Sequence, residues 1–435
     1  MLKPHILILG AGFGGTYVAK RLAPYVKSGK IEVTLVNRTN YFLFTPLLHE
    51  VATGALSPTS VAEPLREIFH GTGVRIAQGT VESVDLVAKK VKLNGSTSCT
   101  LSYDHVVIAT GAETNYYGIS GADKFTYPLK DLADAARIRS QVIDAFERAL
   151  LISDPVERAR LLSFVVVGGG ATGVETAAEL AEFVHGMVKR YYGVTKNCAP
   201  NDSRTCKPEE PLVTLIHTGP EILQMFAPSL RVAAEKRLRR SGVELSLNAT
   251  VTEVTSQGIK LSSGASIPSS TVIWAAGVKA IIPHFEGAMP VVAGGRLVVD
   301  EYFRLGGDSS VFALGDVAGY LDPVARAADP TKAKPLPMLA QVASQEARMV
   351  ADNLSAVIRR RTLKSFSYHS KGSMVSVGQW FAVGEILSLK IAGRLTWWVW
   401  RTIYLFKFAS WKKRLRIAFE WTLEIFYPRD ITKLT

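Results

Sequence analysis

The sequence predicts an α/β fold with two doubly wound domains, followed by a C-terminal region of amphipathic helices. A repeat is the first reason: an apolar strand, a glycine-rich turn and a helical pattern occur at Gly10 and again, 158 residues later, at Gly168. Each copy is followed by another apolar strand, which is the βαβ order of parallel sheets. The composition, 47% hydrophobic and 20% charged over 435 residues, is that of a chain with buried cores and excludes disordered, collagenous and coiled-coil proteins.

The first copy has the spacing of a dinucleotide-binding turn. A strand over Ile6–Leu9 leads into Gly10, Gly12 and Gly15, and the next strand, Val33–Val36, follows the helix. In a G-x-G-x-x-G turn the first glycine permits the tight turn, the second lets the backbone approach a pyrophosphate, and the third lets the helix pack closely on the strand. The phosphates then meet the helix N-terminus.

The second copy strengthens a motif that is weak alone. Ser163–Val167 leads into Gly168, Gly170 and Gly173, and the next strand is Leu212–Ile216. Both turns lie between a strand and a helix, so a chance pair of glycine turns is a poor explanation. We therefore predict two Rossmann-like domains and two bound dinucleotides.

Three further strands end in small residues: Asp104–Gly111, Thr271–Gly277 and Ser310–Asp316. Open α/β sheets bind ligands at the carboxyl ends of their strands. The Asp316 carboxylate is therefore predicted to bind a polyol hydroxyl.

The cysteines exclude two classes of site. Cys99, Cys198 and Cys206 form no C-x-x-C pair and no Cys/His group with zinc spacing, so neither a dithiol centre nor a structural metal is expected. Whether Cys198 and Cys206 pair is left open. They lie in a long polar insertion, Lys189–Pro211, which is predicted to be a surface excursion.

The C-terminal region is basic and rich in tryptophan. The chain carries a net charge of +13, and from Leu389 onward ten basic and three acidic residues give +7, together with five of the seven tryptophans. This composition is typical of an anionic membrane surface. No apolar run is close to the length of about 18 residues that would span a bilayer. Nucleic acid is disfavoured as a partner because no DNA- or RNA-binding motif accompanies the charge.

From Trp411 the charges recur every four residues, which predicts an amphipathic helix. The charged side carries Lys412, Arg416, Glu420 and Glu424, and the other side carries Leu415, Ala418, Phe419, Thr422 and Phe426. Its apolar side could face a membrane, the protein's own core or a dimer interface. The tryptophans and the charge favour the membrane.

Together these residues resemble the type II NADH:quinone oxidoreductases, which are glutathione-reductase-like flavoproteins with two dinucleotide-binding domains. Beyond the two turns, three segments match: Asn40–Gly54 (NYFLFTPLLHEVATG), Ala340–Gln345 (AQVASQ) and Tyr368–Gly372 (YHSKG). The basic, tryptophan-rich end is similar to the membrane-anchoring end of that family.

The resemblance implies FAD at the first turn and a nicotinamide nucleotide at the second. For FAD it implies Gly10, Gly12, Phe13, Gly14, Gly15, Asn37, Arg38, Thr45, Pro46, Ala109, Thr110, Gly111, Gly315 and Asp316. For the nucleotide it implies Gly168, Gly170, Gly173, His217, Ala276 and Gly277.

Four residues are candidates for the chemistry itself. The resemblance places Gln341 and Gln345 at a quinone, Lys371 beside the isoalloxazine, and Glu175 near the nicotinamide and the quinone, for substrate positioning or proton supply. Amides four apart share a helix face and are neutral donors for quinone carbonyls. The alternatives are that both glutamines are solvated and that Glu175 only complements the helix dipole in the first turn.

Two positions depart from the usual pattern. Asn37 stands where an acidic residue usually accepts the adenosine ribose hydroxyls, and its amide oxygen can still accept. His217 and Thr218 stand at the matching point of the second half, where NADH-preferring relatives usually carry Glu. No carboxylate there would repel the 2′-phosphate of NADPH, and no arginine would clamp it, so NADH is expected first with NADPH also permitted.

The expected organisation is an FAD domain at residues 1–118 and 281–360, an NAD(P)H domain at 119–280 and an anchoring region at 361–435. The expected function is electron transfer from NADH through FAD to a membrane quinone in a respiratory chain, without proton pumping. A homodimer peripheral to the cytoplasmic face of the cell inner membrane is expected. The alternatives are an NADPH-preferring enzyme, a sulfide:quinone oxidoreductase, which needs a redox cysteine pair, and a regulatory nucleotide-binding flavoprotein.

Overall fold

The computed structural model describes residues 3–95, 98–192, 211–287, 290–322, 333–387, 389–408 and 410–433. Most of the predicted insertion, with Cys198 and Cys206, lies outside these residues. The chain divides into two units, each built from three segments. Unit 1 comprises Met1–Leu43, Ala62–Glu113 and Val278–His369, and unit 2 comprises Phe44–Val61, Thr114–Gly277 and Ser370–Thr435.

Unit 1 is organised around a five-stranded parallel sheet. In spatial order its strands are Val311–Ala313, His105–Ile108, His5–Leu9, Glu32–Asn37 and Arg75–Gln78. The central strands are almost wholly buried apolar runs, as expected for strands covered on both faces. Helix Phe13–Lys27 connects the first two strands, which confirms the predicted βαβ unit.

A second sheet completes the core of unit 1. Its order is His284–Glu286, Thr80–Asp85, Lys90–Asn94 and Cys99–Ser102, and its inward residues, including Val84, Val91 and Phe285, pack in one apolar cluster with Leu7 and Val106 of the parallel sheet. The remaining elements of this unit are strands Tyr41–Leu43, Ala62–Pro64, Ala112–Thr114 (whose last residue belongs to unit 2), Val278–Ala280, Val292–Ala293, Arg296–Val298 and Ala318–Gly319, helices Leu65–Ile68 and Ala340–Ile358, and the 3-10 turn Gly315–Val317.

Unit 2 has a second five-stranded parallel sheet in which four adjacent strands repeat the order of unit 1, while the edge strand Tyr127–Pro128 precedes them in the chain instead of following them. Its strands are Tyr127–Pro128, Thr271–Trp274, Ser163–Val167, Leu212–Ile216 and Val243–Ser246. Helix Ala171–Met187 occupies the place that Phe13–Lys27 has in unit 1. The two predicted doubly wound sheets are thereby confirmed.

The other elements of unit 2 flank this sheet. Helix Leu132–Leu151 begins with a capping box, in which Asp131 and Asp134 satisfy each other's backbone N–H groups. The others are helices Leu48–Ala52, Pro58–Val61, Ala122–Phe125, Pro155–Leu161, Pro228–Arg240, Arg394–Lys407 and Trp411–Phe426, the 3-10 turn Thr45–Leu47, the π-helical turn Val188–Tyr192, and strands Val251–Thr255, Gly258–Leu261, Ser266–Pro268, Ser373–Ser376, Ala382–Ile386 and Leu389–Gly393.

Within the described ranges, none of the helices has the length and apolar character needed to cross a bilayer. The same ranges contain no cluster of three or more His, Cys, Asp or Glu side chains suited to a metal ion.

Candidate functional site

The first glycine turn has the geometry of a phosphate cradle. Gly10 has φ +103°, and a Cβ there would lie 2.3 Å from the Ala109 carbonyl oxygen, so only glycine fits. At Gly15 a Cβ would lie 1.8 Å from the Gly10 carbonyl oxygen, whereas at Gly12 it would meet no atom within 4 Å. The turn is tight at its two ends and open in the middle, where a ligand would lie.

The second turn reproduces this geometry. Gly168 has φ +124° and would place a Cβ 2.3 Å from the Ala275 carbonyl oxygen, while Gly173 would place one 1.8 Å from the Gly168 carbonyl oxygen. Gly170 is as open as Gly12. Gly12 and Gly170 are also the N-caps of their helices, and neither helix receives a side-chain cap or carries an acidic residue in its first turn. Such N–H groups are suited to a pyrophosphate.

The residues that end the second strands contact these turns in the same way. The Asn37 amide oxygen accepts the Ala11 N–H at 2.9 Å, and His217 Nδ1 accepts the Gly169 N–H at 3.2 Å. Burial lowers the pKa of His217, so the ring is neutral near pH 7 and carries its proton on Nε2. His217 therefore presents a donor where a carboxylate would present an acceptor.

In unit 1, the small residues that follow two of the strands form hydrogen bonds to nearby backbone groups and to one buried glutamate. Thr110 Oγ1 donates to the Ile281 carbonyl at 2.6 Å, and Gly111 accepts from the Ile281 N–H. Gly315, in the turn that carries Asp316, donates its N–H to Glu346 at 2.6 Å. Burial raises the pKa of Glu346 to about 7, against the opposing effect of the Gly315 N–H.

The other predicted FAD residues divide between the units. Phe13 packs edge-on to Phe42 at a centroid distance of 5.1 Å, and a Cβ on Gly14 would touch Leu314. Arg38 follows the second strand, and Ala109 is buried beside Gly10. Thr45 and Pro46 open the 3-10 turn Thr45–Leu47 of unit 2.

The carboxyl end of strand Thr271–Trp274 completes the nucleotide side of unit 2. Gly277 has φ +149° and accepts the Asn115 N–H through its carbonyl, and the Ala276 carbonyl accepts from the Tyr117 hydroxyl at 3.3 Å.

Both predicted quinone amides bind the segment that follows their helix in unit 1. Gln341 donates to the Tyr368 hydroxyl and Gln345 donates to the His369 carbonyl, each at 2.9 Å. They are therefore anchored to the YHSKG segment rather than freely solvated. Lys371 belongs to unit 2, where its charge adds to burial in lowering the pKa of Lys407.

Glu175 is more unusual than its sequence position suggested. Its predicted place in the first helical turn is wrong: the helix begins at Ala171, so Glu175 lies in the second turn and is buried. One carboxylate oxygen accepts the Ser376 N–H at 3.3 Å, and the other lies 3.8 Å from His49 Nδ1. Burial raises its pKa well above the ordinary range. The dipole of the first turn therefore does not explain this residue.

Sequence reasoning missed a buried ionic cluster around Glu175. Arg429, 9% exposed, binds Glu179 and Glu424, and Arg401 binds Glu424 at 3.1 Å. Glu50 accepts the Trp421 indole N–H at 2.6 Å. The available signal was the spacing of Glu175, Glu179 and Glu182 on an otherwise apolar helix, which places three carboxylates on one buried face.

The stability of the protein should depend on pH through Glu50. Burial raises the pKa of Glu50 to about 8, so the folded protein binds a proton that the unfolded chain, with a pKa near 4.5, releases. This contribution is complete below the unfolded pKa and is lost as pH rises through the folded one. We expect Glu50→Gln, which keeps an acceptor for Trp421, to gain melting temperature relative to the unmodified protein between about pH 5 and pH 9. The control is Glu420→Gln, and parallel melting curves for Glu50→Gln would contradict the assignment.

The predicted C-terminal helix is confirmed as Trp411–Phe426, and its side-chain contacts show which residues face the protein and which face outward. Glu420 accepts hydrogen bonds from the Ser57 N–H and the Ser60 hydroxyl, and Glu424 is buried. Glu420 and Glu424 of the charged side therefore face the protein together with the buried Ile417 and Trp421, whereas Lys412 and Arg416 are exposed. The exposed apolar residues of this helix and of Arg394–Lys407, which we name the outer apolar face, are Leu395, Trp398, Ile403, Phe406, Trp411, Leu415, Phe419, Leu423, Ile425 and Phe426.

The expectation that all five C-terminal tryptophans suit a membrane interface is wrong for three of them. Trp397, Trp400 and Trp421 are buried, and Arg401 stacks on Trp397 and Trp421 at 3.8 and 4.7 Å. Only Trp398 and Trp411 are exposed.

Two known protein families together match nearly the whole chain. Residues 4–347 match the pyridine nucleotide-disulphide oxidoreductase family, and residues 370–430 match the NDH2 C-terminal domain. The type II NADH:quinone oxidoreductase NdhA of Mycobacterium tuberculosis is 32% identical over 96% of this chain and 86% of its own length. The mitochondrial internal alternative NAD(P)H-ubiquinone oxidoreductase A1 of Arabidopsis thaliana is 31% identical over 99% of this chain and 86% of its own.

Solved structures share the fold. The NDH2 of Plasmodium falciparum, determined in complex with NADH, has a TM-score of 0.86 at 24% identity and covers 99% of this chain and 100% of its own. The sulfide:quinone oxidoreductase of Aquifex aeolicus has a TM-score of 0.69 at 18% identity, with coverage of 98% and 96%. The sequence matches agree with the presence of two glycine turns of the same geometry. The chain belongs to the pyridine nucleotide-disulphide oxidoreductase family and, within it, to the type II NADH:quinone oxidoreductases.

Proposed function

We propose that this protein transfers electrons from NADH through FAD to a membrane quinone. The observation that carries the proposal is the pair of matching glycine turns, each with an uncapped helix N-terminus and with open space at Gly12 or Gly170. When bound, FAD supplies the redox chemistry by accepting a hydride from NADH and passing two electrons to the quinone. The chain supplies binding, orientation and proton control.

In unit 1 the residues present fit FAD. The helix N–H groups after Gly12 bind its pyrophosphate, and Asp316, held in its turn by the Gly315 to Glu346 hydrogen bond, binds a ribityl hydroxyl. The other proposed FAD contacts in unit 1 are Gly10, Phe13, Gly14, Gly15, Asn37, Arg38, Ala109, Thr110, Gly111 and Gly315. Thr45 and Pro46 stay predictions of the family resemblance.

In unit 2 the turn at Gly168, Gly170 and Gly173 binds the pyrophosphate of the nicotinamide nucleotide. His217 lies beside its adenosine ribose, and Ala276 with Gly277 borders its nicotinamide end.

The quinone is assigned to Gln341 and Gln345. Their hydrogen bonds to Tyr368 and His369 hold the two amides in fixed positions, and amide N–H groups are suitable donors for quinone carbonyls. Lys371 and Glu175 belong to unit 2 and stay predictions of the family resemblance, Lys371 for the isoalloxazine and Glu175 for substrate positioning or proton supply; the burial that raises the pKa of Glu175 favours its protonated form.

The test is anaerobic stopped-flow spectroscopy of the holoenzyme. Mixing with NADH should bleach the flavin absorbance rapidly, and subsequent mixing with a short-chain quinone should restore it rapidly. Bleaching without a response to quinone would return Gln341 and Gln345 to a structural role. Absence of bleaching would favour a regulatory nucleotide-binding protein, and reduction by sulfide in place of NADH would favour a sulfide:quinone oxidoreductase.

Nucleotide preference provides a prediction at His217. We expect His217→Glu to lower kcat/KM for NADPH by about tenfold or more, because a carboxylate repels the 2′-phosphate, while NADH is used at least as well. The measurement is kcat/KM for both nucleotides. The neutral variant His217→Gln is the control and should retain the original ratio; equal losses for both nucleotides in His217→Glu would show a structural role only.

The proposed location is the cytoplasmic face of the cell inner membrane, as a peripheral protein. The support is the outer apolar face, where Leu415, Phe419 and Phe426 are 51%, 63% and 74% exposed. Such a surface, with Lys412 and Lys413 beside it, suits the headgroup and upper acyl region of an anionic bilayer. A lipid-soluble acceptor would be available there.

Removing part of this face should detach the protein from membranes. We expect Leu415→Ser with Phe419→Ser to lower co-sedimentation with phosphatidylglycerol-containing vesicles by about tenfold or more, since each side chain contributes about 1.5–3 kcal/mol on burial. Flavin bleaching by NADH should be unchanged. Leu151→Ser, at a leucine of another helix that is 85% exposed, is the control. Undiminished binding of the double variant would remove the outer apolar face from the proposal.

We also propose a homodimer, on the basis of the family alone. Analytical ultracentrifugation of the holoenzyme in detergent tests it, and a sedimentation mass of one chain would reject it.

A further inference from the structure

A loop of unit 2 packs against the second glycine turn. The loop comprises residues 217–227 and connects strand Leu212–Ile216 to the next helix. Its Leu223 N–H donates to the Gly169 carbonyl at 2.8 Å, and the Gly169 N–H donates to His217 at 3.2 Å. The Leu223 side chain is buried. The loop therefore borders the place at which the nicotinamide nucleotide is proposed to bind.

One arginine holds this loop at three points. Arg231, in the following helix, donates from Nε to the Phe226 carbonyl at 2.6 Å and from Nη2 to the Gln224 carbonyl at 2.8 Å. Its Nη1 donates to the Glu221 carboxylate at 2.6 Å. Because the donors of a guanidinium form a rigid planar fork, these contacts fix the backbone of the loop on both sides of residue 225.

The carboxamide of Gln224 and the ring of His217 converge beside Gly219. A Cβ on Gly219 would lie 2.3 Å from Gln224 Nε2 and 2.9 Å from His217 Nε2, so both side chains border the same point, and glycine leaves room for them. His217 Nδ1 accepts the Gly169 N–H, so Nε2 carries the proton of the neutral ring and is its donor on this side. A carboxamide both donates and accepts. The two side chains form a neutral hydrogen-bonding pair.

We propose that Gln224 is a specificity-determining residue that binds the adenosine ribose of the nicotinamide nucleotide together with His217, and that Arg231 is its positioning residue. The inference rests on the proposed function. In dinucleotide-binding folds the residue that ends the second strand meets the ribose hydroxyls, and a nearby arginine accommodates a 2′-phosphate. His217 follows that strand here, with Gln224 beside it. A neutral pair binds hydroxyls without repelling a 2′-phosphate, and it supplies no cation to bind one tightly.

A positive charge at position 224 tests this assignment by a gain of function. We expect Gln224→Arg to raise the ratio of kcat/KM for NADPH to that for NADH by about tenfold or more, because arginine forms charge-assisted hydrogen bonds to phosphate. Met225→Arg is the matched control, since it adds the same charge at the next residue, whose side chain is 58% exposed. This control should change the ratio by less than about threefold, because an exposed charge without a direct contact is screened.

Replacing Arg231 by methionine tests the positioning role. A loosened loop should weaken nucleotide binding without altering hydride transfer from bound NADH. In stopped-flow bleaching of the holoenzyme, the apparent Kd for NADH should rise by about fivefold or more while the limiting rate stays within about twofold. Calorimetric titration with ADP-ribose should show the same loss of affinity. Arg239→Met is the control, because Arg239 lies on the same helix, binds Glu235 and is 52% exposed.

The two roles are also expected to be coupled. Since Arg231 fixes the backbone that carries residue 224, the combination of Gln224→Arg with Arg231→Met should lose most of the gain in NADPH use. An additive combination would contradict the positioning role.

The other outcomes are distinct. Equal ratios in Gln224→Arg and Met225→Arg would overturn the assignment of Gln224. A fall of the limiting rate in Arg231→Met, or equal effects of Arg231→Met and Arg239→Met, would overturn the role of Arg231. If Arg231→Met does not fold, Arg231→Lys, which keeps the charge and loses the fork, carries the test. If the unmodified holoenzyme neither binds ADP-ribose nor is bleached by NADH, the proposed function fails instead.

Discussion

Replacing Gly15 by alanine is expected to abolish flavin binding and to destabilise unit 1 by about 3 kcal/mol or more, the upper end of the range for overpacking. The added Cβ would lie 1.8 Å from the Gly10 carbonyl oxygen, and this neighbour is backbone that cannot rotate away. The first strand and helix Phe13–Lys27 would have to separate. The measurements are the flavin-to-protein ratio and the melting temperature of the purified protein.

Gly12→Ala is the matched control, because a Cβ there meets no protein atom within 4 Å. We expect this variant to fold with an unchanged apoprotein melting temperature, yet to lose flavin, since its methyl group occupies the space assigned to the pyrophosphate. Retention of flavin by Gly15→Ala would contradict the close packing. Retention of flavin by Gly12→Ala would contradict the location of the pyrophosphate.

Replacing Arg429 by methionine is expected to destabilise unit 2 by about 3–5 kcal/mol, the usual loss when one member of a buried ion pair is removed. Arg429 binds the carboxylates of Glu179 and Glu424 and donates to the carbonyls of Glu179 and Thr53. Its loss removes the cation that binds the buried Glu179 carboxylate and leaves Glu424 with Arg401 alone. A melting temperature lower by roughly 10 °C at pH 7 is the expected result.

Arg416→Met provides the control for this change. Arg416 binds Glu420 at 3.0 Å on the same helix that contributes Glu424, but its side chain is 46% exposed. An exposed pair contributes about 0–1 kcal/mol, so the melting temperature should hardly change. A partial recovery of stability in Arg429→Met when Glu179 and Glu424 are also replaced by glutamine would attribute the loss to the unpaired carboxylates. Equal effects of Arg429→Met and Arg416→Met would refute the buried network.

The parts of the fold that the sequence predicted are those determined by local pattern. The strands His5–Leu9 and Ser163–Val167 are uninterrupted apolar runs, and each glycine turn has a fixed spacing. Gln341 and Gln345 were also brought together by local spacing, because four residues make one helical turn.

What remained unpredicted depends on contacts between distant segments. Glu50 and Glu175 are unremarkable in a list of glutamates, and their burial follows only when Trp421 and Ser376 are folded against them. The last helix shows the same limit. The helix itself was predicted correctly, but periodicity carries no information about which residues a helix presents to its own protein. The hydrogen bonds from Ser57 and Ser60 to Glu420 decide that question.

The three-segment composition of unit 2 has a consequence for how the chain folds. The hydrogen bond from Trp421 to Glu50 joins residues 371 positions apart, and the bond from Arg429 to Glu179 joins residues 250 positions apart. Closing loops of this length costs conformational entropy before the contact can stabilise the chain, and this cost slows folding. The ionic cluster is therefore expected to assemble in the slowest refolding phase, after both parallel sheets, and catalytic competence in quinone reduction should return later than native secondary structure.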